Sequence, residues 1–261
     1  MSQEKLSEDA LNQIIKRAKD FFKDEIVPSH KANTLKLKKL KQFNLNPFLD
    51  KYKASFLTGN DDPESIARAL IYPRVLGTSI NTIFGDRLQK FCSEVLEGFA
   101  STTSGIDIEF IDKVDGRKKY CQIKAGPNTI NKDDIETIKG HFQGVKNLAR
   151  TNKLSISFDD LVVGVFYGTP EDLSNHYKTI NKEYPVIVGQ EFWYRLSGEI
   201  DFYQKLTDAI GDVASEVDSS EMIENVIKTL AKEVEDTLKP KKLEPTIEKK
   251  IAAEDKGKYD V

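Results

Sequence analysis

The sequence predicts an α/β fold in which a small mixed central sheet is flanked by helices, with an added helical region. Two stretches rich in β-branched residues, 159–168 and 184–189, are typical of buried strands. A hairpin across residues 105–126 adds two strands that run antiparallel to each other. Helical periodicity dominates the rest of the chain, so the strands must form one sheet inside a helical envelope.

The composition points to a charge-rich protein of 261 residues with a net charge of −3. No apolar run approaches the roughly 18 residues of a membrane span, and the N-terminus lacks the apolar core of a signal peptide. Two cysteines make no disulfide framework. We therefore expect a cytoplasmic protein without a membrane partner.

The charges are unevenly distributed along the chain. Residues 31–53 contain seven lysines and one acid, whereas residues 212–238 contain eight acids and two lysines. The basic segment is either a solvated surface or a stripe that faces phosphates.

Helices account for the first hundred residues. Residues 7–25 have a helical apolar stripe with Ser7 as the N-cap, and Pro28 is expected to end this helix. Further helices are predicted over 46–57, 62–72 and 78–99, the last one broken or capped near Gly85.

Helices and strands alternate after the hairpin. An amphipathic helix capped near Asn131 covers residues 131–150, and a helix over 170–180 separates the two buried strands. Helices over 190–198, 199–217 and 220–238 follow. We expect a mainly helical N-terminal region (1–75), a core that contains the sheet (76–200), C-terminal helices (201–238) and a mobile polar tail (239–261).

The dipeptide Asp115-Gly116 predicts a two-residue hairpin turn. With that turn, Asp107 lies opposite Lys124 and Glu109 lies opposite Gln122. Side chains alternate along a strand, so these four polar side chains share one face while apolar residues occupy the other face.

The polar face is either a solvated sheet surface with cross-strand ion pairs or a site. Its surroundings favour a site, because small hydroxyl residues precede it and a Gly-Pro turn and a lysine-bearing helix follow it. Two carboxylates, an amide and an ammonium suit phosphodiester hydrolysis with Mg²⁺. The expected DNA contacts are Ser101, Thr102, Thr103, Ser104, Asn128, Lys132 and Lys139. His141, on the next helix, is either a surface histidine or a phosphate contact.

The pattern Asp107…Gln122-x-Lys124 resembles the signature of the PD-(D/E)xK nucleases. The wider runs "PRVLGTSINTIFGDRLQKF", "STTSGIDIEFID", "GRKKYCQIKAGPNTINKDD" and "DDLVVGVFYG" resemble the PmeII-type type II restriction endonucleases over roughly residues 10–210. This resemblance implies a restriction-endonuclease-like fold and a homodimeric, Mg²⁺-dependent enzyme. It also implies double-strand cleavage at a short near-palindromic site such as GGNCC, and a cognate DNA methyltransferase as a functional partner that is not bound physically.

The resemblance also assigns roles to residues. Asp107 matches the metal-binding Asp, Lys124 matches the motif lysine, and Gln122 stands where most of the superfamily has Glu. With an amide at this position, the second carboxylate either comes from elsewhere or is dispensable. The predicted hairpin favours Glu109, which it places opposite Gln122; Glu94 and Glu97 on the preceding helix are rivals, and the backbone carbonyl of Ile123 is a further candidate ligand. The catalytic core of the resemblance is expected over residues 76–200, with DNA contact or dimerisation in residues 1–75. The alternatives are a structure-specific or repair nuclease on the same core, or a non-enzymatic DNA-binding module.

Overall fold

The computed structural model describes residues 5–238, which form two compact units. The first unit contains the chain up to Thr34 and Arg74–Glu221, and the second contains Leu35–Pro73 and the chain from Met222 onward. The predicted tail, 239–261, lies outside the described residues. The division at residues 75, 200 and 238 stays a prediction.

The first unit contains one mixed sheet of four strands. These are β1 (Ile108–Ile111), β2 (Lys118–Lys124), β3 (Leu161–Val165) and β4 (Val186–Val188), and they are adjacent in that order. The pair β1–β2 is antiparallel, whereas β2–β3 and β3–β4 are parallel. The predicted mixed sheet flanked by helices is confirmed and fits a restriction-endonuclease-like fold.

Apart from α2, the helices lie where the periodicity of the sequence predicts them. In chain order they are α1 (Glu8–Phe21), α2 (Val27–Lys36), α3 (Pro47–Thr58), α4 (Pro63–Pro73), α5 (Ile80–Glu94), α6 (Lys132–Thr151), α7 (Asn175–Ile180), α8 (Gln190–Ser197), α9 (Phe202–Val217) and α10 (Ser220–Leu238). Gly85 lies within α5 and does not break it. Within residues 5–238, no helix is both long and apolar enough to cross a membrane.

The sheet of the first unit separates two apolar clusters. One face carries Ile108, Phe110, Cys121 and Ile123 and packs against residues of α1, α5, α8 and α9. The other face packs against α6 and α7. In the middle of β3, a Cβ on Gly164 would lie 2.5 Å from the ring of Phe192, so the glycine lets α8 approach the sheet closely.

Pro28 does not end the first helix, which corrects the sequence prediction. A π-helical turn over Phe22–Ile26 joins α1 to α2, and Pro28 is the second residue of α2. Proline removes a backbone donor and its ring clashes with the carbonyl four residues earlier. The wider π-helical turn places Pro28 near the start of α2, where a residue without a backbone N–H is tolerated.

The hairpin has a longer turn than predicted. Ile108 pairs with Cys121 and Glu109 with Tyr120, so the predicted pairs of Asp107 with Lys124 and of Glu109 with Gln122 are wrong. The loop closes where Asp112 N donates to Arg117 O (3.0 Å) and Gly116 N donates to Asp112 O (2.8 Å). The register moves by two residues, so every side chain keeps its predicted face; a shift by one would have inverted both faces.

In the second unit the basic and acidic segments pair with each other. Glu233 of α10 accepts a hydrogen bond from Leu40 N at 2.6 Å and forms an ion pair with Lys39 at 3.4 Å. Arg68 of α4 forms hydrogen bonds with both carboxylate oxygens of Glu224 at 2.7 Å. Part of the N-terminal positive charge is therefore neutralised within the unit, which weakens the case for a phosphate-facing stripe.

A buried ion cluster lies at the hairpin-loop end of β2. Lys119 is 2% exposed, and its Nζ donates to Asp115 Oδ2 at 2.5 Å and to Asp159 O at 2.9 Å. Asp112, which is fully buried, accepts from Arg195 at 2.9 Å. Asp160 accepts two hydrogen bonds from Arg117.

We expect Lys119→Met to lower the free energy of unfolding by about 3–5 kcal/mol, because it removes a buried cation that lies within 4 Å of the carboxylates of Asp112, Asp115 and Asp160. Urea unfolding at neutral pH measures the change. Lys178→Met, at an exposed position of α7, is the control and should change stability by no more than about 0.5 kcal/mol. A Lys119→Met protein as stable as the control would show that the ion cluster does not need the lysine.

The same cluster should make stability fall in acid. Burial raises the pKa of Asp160, but the hydrogen bonds from Arg117 and from Ser157 N lower it more, and the net pKa is below the ordinary value. A lowered carboxylate pKa stabilises the fold above the unfolded value of about 3.9, and this stabilisation is lost as pH falls below it. Urea midpoints measured between pH 5 and 3 should therefore fall less steeply for Asp160→Asn than for the unmutated protein.

Candidate active site

A cavity of about 390 Å³ opens at the edge of the sheet where the parallel strands end. Its walls come from α5, from the segment just before β1, from the end of β2 and from the first half of α6. Because β1 runs antiparallel to β2, the residue before β1 and the last residue of β2 lie at this same edge. Crevices at the carboxyl ends of parallel strands are the usual ligand sites of α/β sheets.

Asp107 lines this cavity at the start of β1. Its Oδ2 accepts a hydrogen bond from Ile123 N at 2.6 Å, which fixes the carboxylate against β2. Burial raises the pKa of Asp107, although the Ile123 N–H and the charge of Lys124 act in the opposite direction. A bound cation would offset this cost of burying the charged carboxylate.

Lys124 lines the same cavity from the last position of β2. Its ammonium group forms no hydrogen bond with the described part of the chain, whereas many other lysines of the sheet and its flanks are paired. Lys118, for example, contacts Glu109 at 2.6 Å. The Lys124 ammonium therefore remains available to a ligand in the cavity.

Gln122 also lines the cavity, and the residue is 5% exposed. Its amide nitrogen donates to Gly105 O and lies 2.5 Å from Nδ1 of His141 on α6. The sequence left His141 as either a surface residue or a phosphate contact. The fold brings its ring to the wall of the cavity.

Asp134 is a second carboxylate at this cavity, and the sequence alone did not predict it there. It lies in the first turn of α6, where its Oδ2 accepts from Asn131 N at 2.8 Å in a capping box. The sequence contains a signal for this position of Asp134: the loop that follows Lys124 leads directly into the start of α6. A carboxylate in that first turn lies near the end of the preceding strand.

Glu109 does not line this cavity. It lies at a different cavity, where it forms an ion pair with Lys118 at 2.6 Å. It also accepts hydrogen bonds from Ser101 Oγ at 2.6 Å and Thr103 Oγ1 at 2.9 Å. Its predicted place beside Gln122 depended on the two-residue turn, which the hairpin does not have.

The other residues predicted to contact DNA or to supply the second carboxylate do not line this cavity. Lys139 pairs with Glu183, and the hydroxyls of Ser101 and Thr103 are occupied by Glu109. Exposed positions are found at Thr102, Ser104, Asn128 and Lys132. Of the two rival carboxylates, Glu94 contacts Lys90 at 3.6 Å and Glu97 pairs with Arg17, and neither lines the cavity.

The donors at the cavity suit a hard divalent cation. No group of three or more His, Cys, Asp or Glu side chains that could hold a metal occurs within residues 5–238. Mg²⁺ needs fewer protein ligands, because it keeps several waters and binds through one or two carboxylates and substrate phosphate. Asp107 and Asp134 are such carboxylates, and the carbonyl of Ile123 is a further oxygen donor at the same wall.

Comparison with known protein families identifies the family of the chain. A family model described as type II restriction endonuclease EcoO109I matches residues 9–218, which is more than half of the 261 residues and includes the whole cavity. A comparison with curated proteins gave no match. The chain therefore belongs to the type II restriction endonuclease EcoO109I family, and it is a site-specific deoxyribonuclease of a restriction–modification system that hydrolyses DNA.

Proposed function

We propose that this enzyme uses Mg²⁺ to cut both strands of DNA at a short near-palindromic site, of the GGNCC class that the PmeII-type resemblance implies. Type II restriction endonucleases generally use divalent metal ions. The observation that carries the proposal is the cavity that Asp107 and Lys124 share, with the Lys124 ammonium unpaired by the described part of the chain.

The residues of the cavity take distinct roles. Asp107, the carbonyl of Ile123 and Asp134 hold Mg²⁺, which when bound lowers the pKa of a coordinated water and neutralises phosphate charge. Lys124 orients the attacking water and stabilises the charge that develops on the phosphate. Gln122 forms part of the buried wall of the cavity. Glu109 has no place in this ligand set, because its carboxylate lies elsewhere.

DNA contacts outside the cavity are expected from exposed polar residues that flank it. Thr102 and Ser104 lie in the loop before β1, Asn128 in the loop after β2, and Lys132 at the start of α6. Lysine and hydroxyl side chains of this kind contact phosphates and position the duplex without reading its sequence.

Digestion of a sequenced plasmid with Mg²⁺, followed by sequencing of the fragment ends, tests the proposal. Discrete bands with ends at one short near-palindromic sequence are expected. Cleavage only of branched or damaged DNA would instead identify a structure-specific nuclease. No cleavage at all, together with tight DNA binding, would identify a non-enzymatic binding module.

We infer a homodimer, because cutting both strands of a near-palindromic site needs two active centres related by a two-fold axis. The apolar face of α1, in the region expected to contact DNA or to form the dimer, is buried within the first unit, as is the apolar face of α9. In the second unit α3 exposes a row of aromatic side chains at Phe48, Tyr52 and Phe56, of which Phe48 is 89% exposed. Exposed apolar patches mark interaction sites, so α3 is the surface that we assign to the dimer.

Sedimentation should show a dimer for the unmutated protein and a monomer for Phe48→Asp/Phe56→Asp. Leu154→Asp is a control at another exposed apolar position, and this variant should remain dimeric. A stable monomer on cognate DNA would refute the dimer itself. A dimer that survives the double substitution would refute the role of α3 alone.

The cellular setting follows from the proposed activity. A restriction enzyme must share a compartment with DNA and with the methyltransferase that protects the host sites. We therefore place the enzyme in the cytoplasm, with a cognate DNA methyltransferase as its functional partner rather than a bound subunit. Both cysteines are free and buried, as expected for a reducing compartment.

A further inference from the structure

The hydrogen bonds of Gln122 fix the orientation of its side-chain amide. A backbone carbonyl can only accept, so the amide nitrogen of Gln122 must face Gly105 O. That nitrogen has two hydrogens, and the second points to Nδ1 of His141 at 2.5 Å. In this arrangement Nδ1 accepts a hydrogen bond.

The accepting Nδ1 determines the tautomer of His141. A neutral imidazole with an accepting Nδ1 carries its proton on Nε2. Nε2 forms no hydrogen bond with the described residues, and the ring is exposed along the wall of the cavity that contains Asp107 and Lys124. The Nε2–H group is therefore a free donor at the proposed active site.

Close packing holds the His141 ring in place. Gly105 has φ of +77°, a conformation that glycine adopts without strain. A Cβ on this residue would overlap the His141 ring. Gly105 thus contributes both the acceptor for Gln122 and the space that the ring occupies.

We propose that Gln122 is a positioning residue that holds His141 as the Nε2–H tautomer, and that this N–H binds a backbone phosphate of the DNA. The inference rests on the proposed nuclease function and deepens it. It explains why an amide suits this position. A carboxylate at residue 122 would place an oxygen against the carbonyl oxygen of Gly105, and neither atom could donate a hydrogen bond. Its contact with His141 would require the proton of the imidazole to be on Nδ1.

Cleavage of a plasmid that the unmutated enzyme digests tests the contact. His141→Ala should lower the rate by up to about tenfold, the scale of one hydrogen bond. His176→Ala, on α7 outside the cavity, is the control and should cut at the normal rate. A His141→Ala enzyme with the normal rate overturns the phosphate contact.

A double-mutant cycle tests whether Gln122 acts through His141. Gln122→Leu should also lower the rate up to about tenfold, but adding it to His141→Ala should cause little further loss, because the residues act as one unit. Losses that multiply overturn the positioning role. Gln122→Glu, which keeps the size of the side chain, should be as slow as Gln122→Leu; a faster rate than normal also overturns that role.

Nitrogen-15 NMR of the histidine rings gives a readout that does not depend on activity. The unmutated protein should show His141 with a proton on Nε2, and Gln122→Glu should move that proton to Nδ1 or protonate both nitrogens. A proton on Nδ1 in the unmutated protein overturns the proposal even if a Gln122 variant fails to fold. If the unmutated enzyme cuts no DNA, the proposed function fails while the tautomer can still be established.

Discussion

Lys124→Ala is expected to lower the rate of DNA cleavage by about 10²–10³-fold or more, because it removes a preorganised positive charge from the reacting phosphate. Lys124 lines the cavity of the proposed active site, and its ammonium is unpaired by the described part of the chain. Binding of duplex DNA without metal should change little, because affinity comes from many other phosphate contacts.

Two further variants sharpen this test. Lys118→Ala is the matched control, because Lys118 lies on the same strand but pairs with Glu109 outside the cavity. Lys124→Arg should not restore activity, since the guanidinium is larger and planar and cannot place its charge where the compact ammonium group lies. If the Lys124→Ala enzyme cuts within tenfold of the normal rate, Lys124 does not have the catalytic role proposed for it.

Asp107→Asn is expected to lower metal-dependent cleavage by about 10³-fold. The metal contributes several kcal/mol of charge stabilisation, and every 1.36 kcal/mol is a factor of ten in rate. The substitution removes a carboxylate that the Ile123 N–H holds at the cavity. DNA binding without metal should be equal or tighter, because one negative charge near the phosphate is lost.

Thermal unfolding separates metal binding from catalysis. Addition of MgCl₂ should raise the Tm of the unmutated protein by mass action and leave the Tm of Asp107→Asn unchanged. Glu109→Gln is the matched control, a carboxylate on the same face of the hairpin but at a different cavity. It should cut normally and keep the Mg²⁺ response. Normal turnover by Asp107→Asn would show that Asp107 takes no part in catalysis and only contacts β2 as a structural residue.

The sequence by itself determined the elements whose signals are local. The start of helix α6 after Asn131 was predictable, because its capping box involves only residues within one turn. The two faces of the hairpin were predicted correctly even though the turn was not, because a register error of two residues preserves the alternation. The polar face with Asp107, Gln122 and Lys124 was therefore found from the sequence.

Only the tertiary structure decided which polar side chains meet. The longer turn closes at Asp112, whose carboxylate accepts a hydrogen bond from Arg195, a residue 83 positions away. That turn separates Glu109 from the cavity, and the packing of α6 beside β2 brings His141 to Gln122. Contacts between residues so distant in sequence depend on how whole elements pack, and no periodicity or capping signal records that packing.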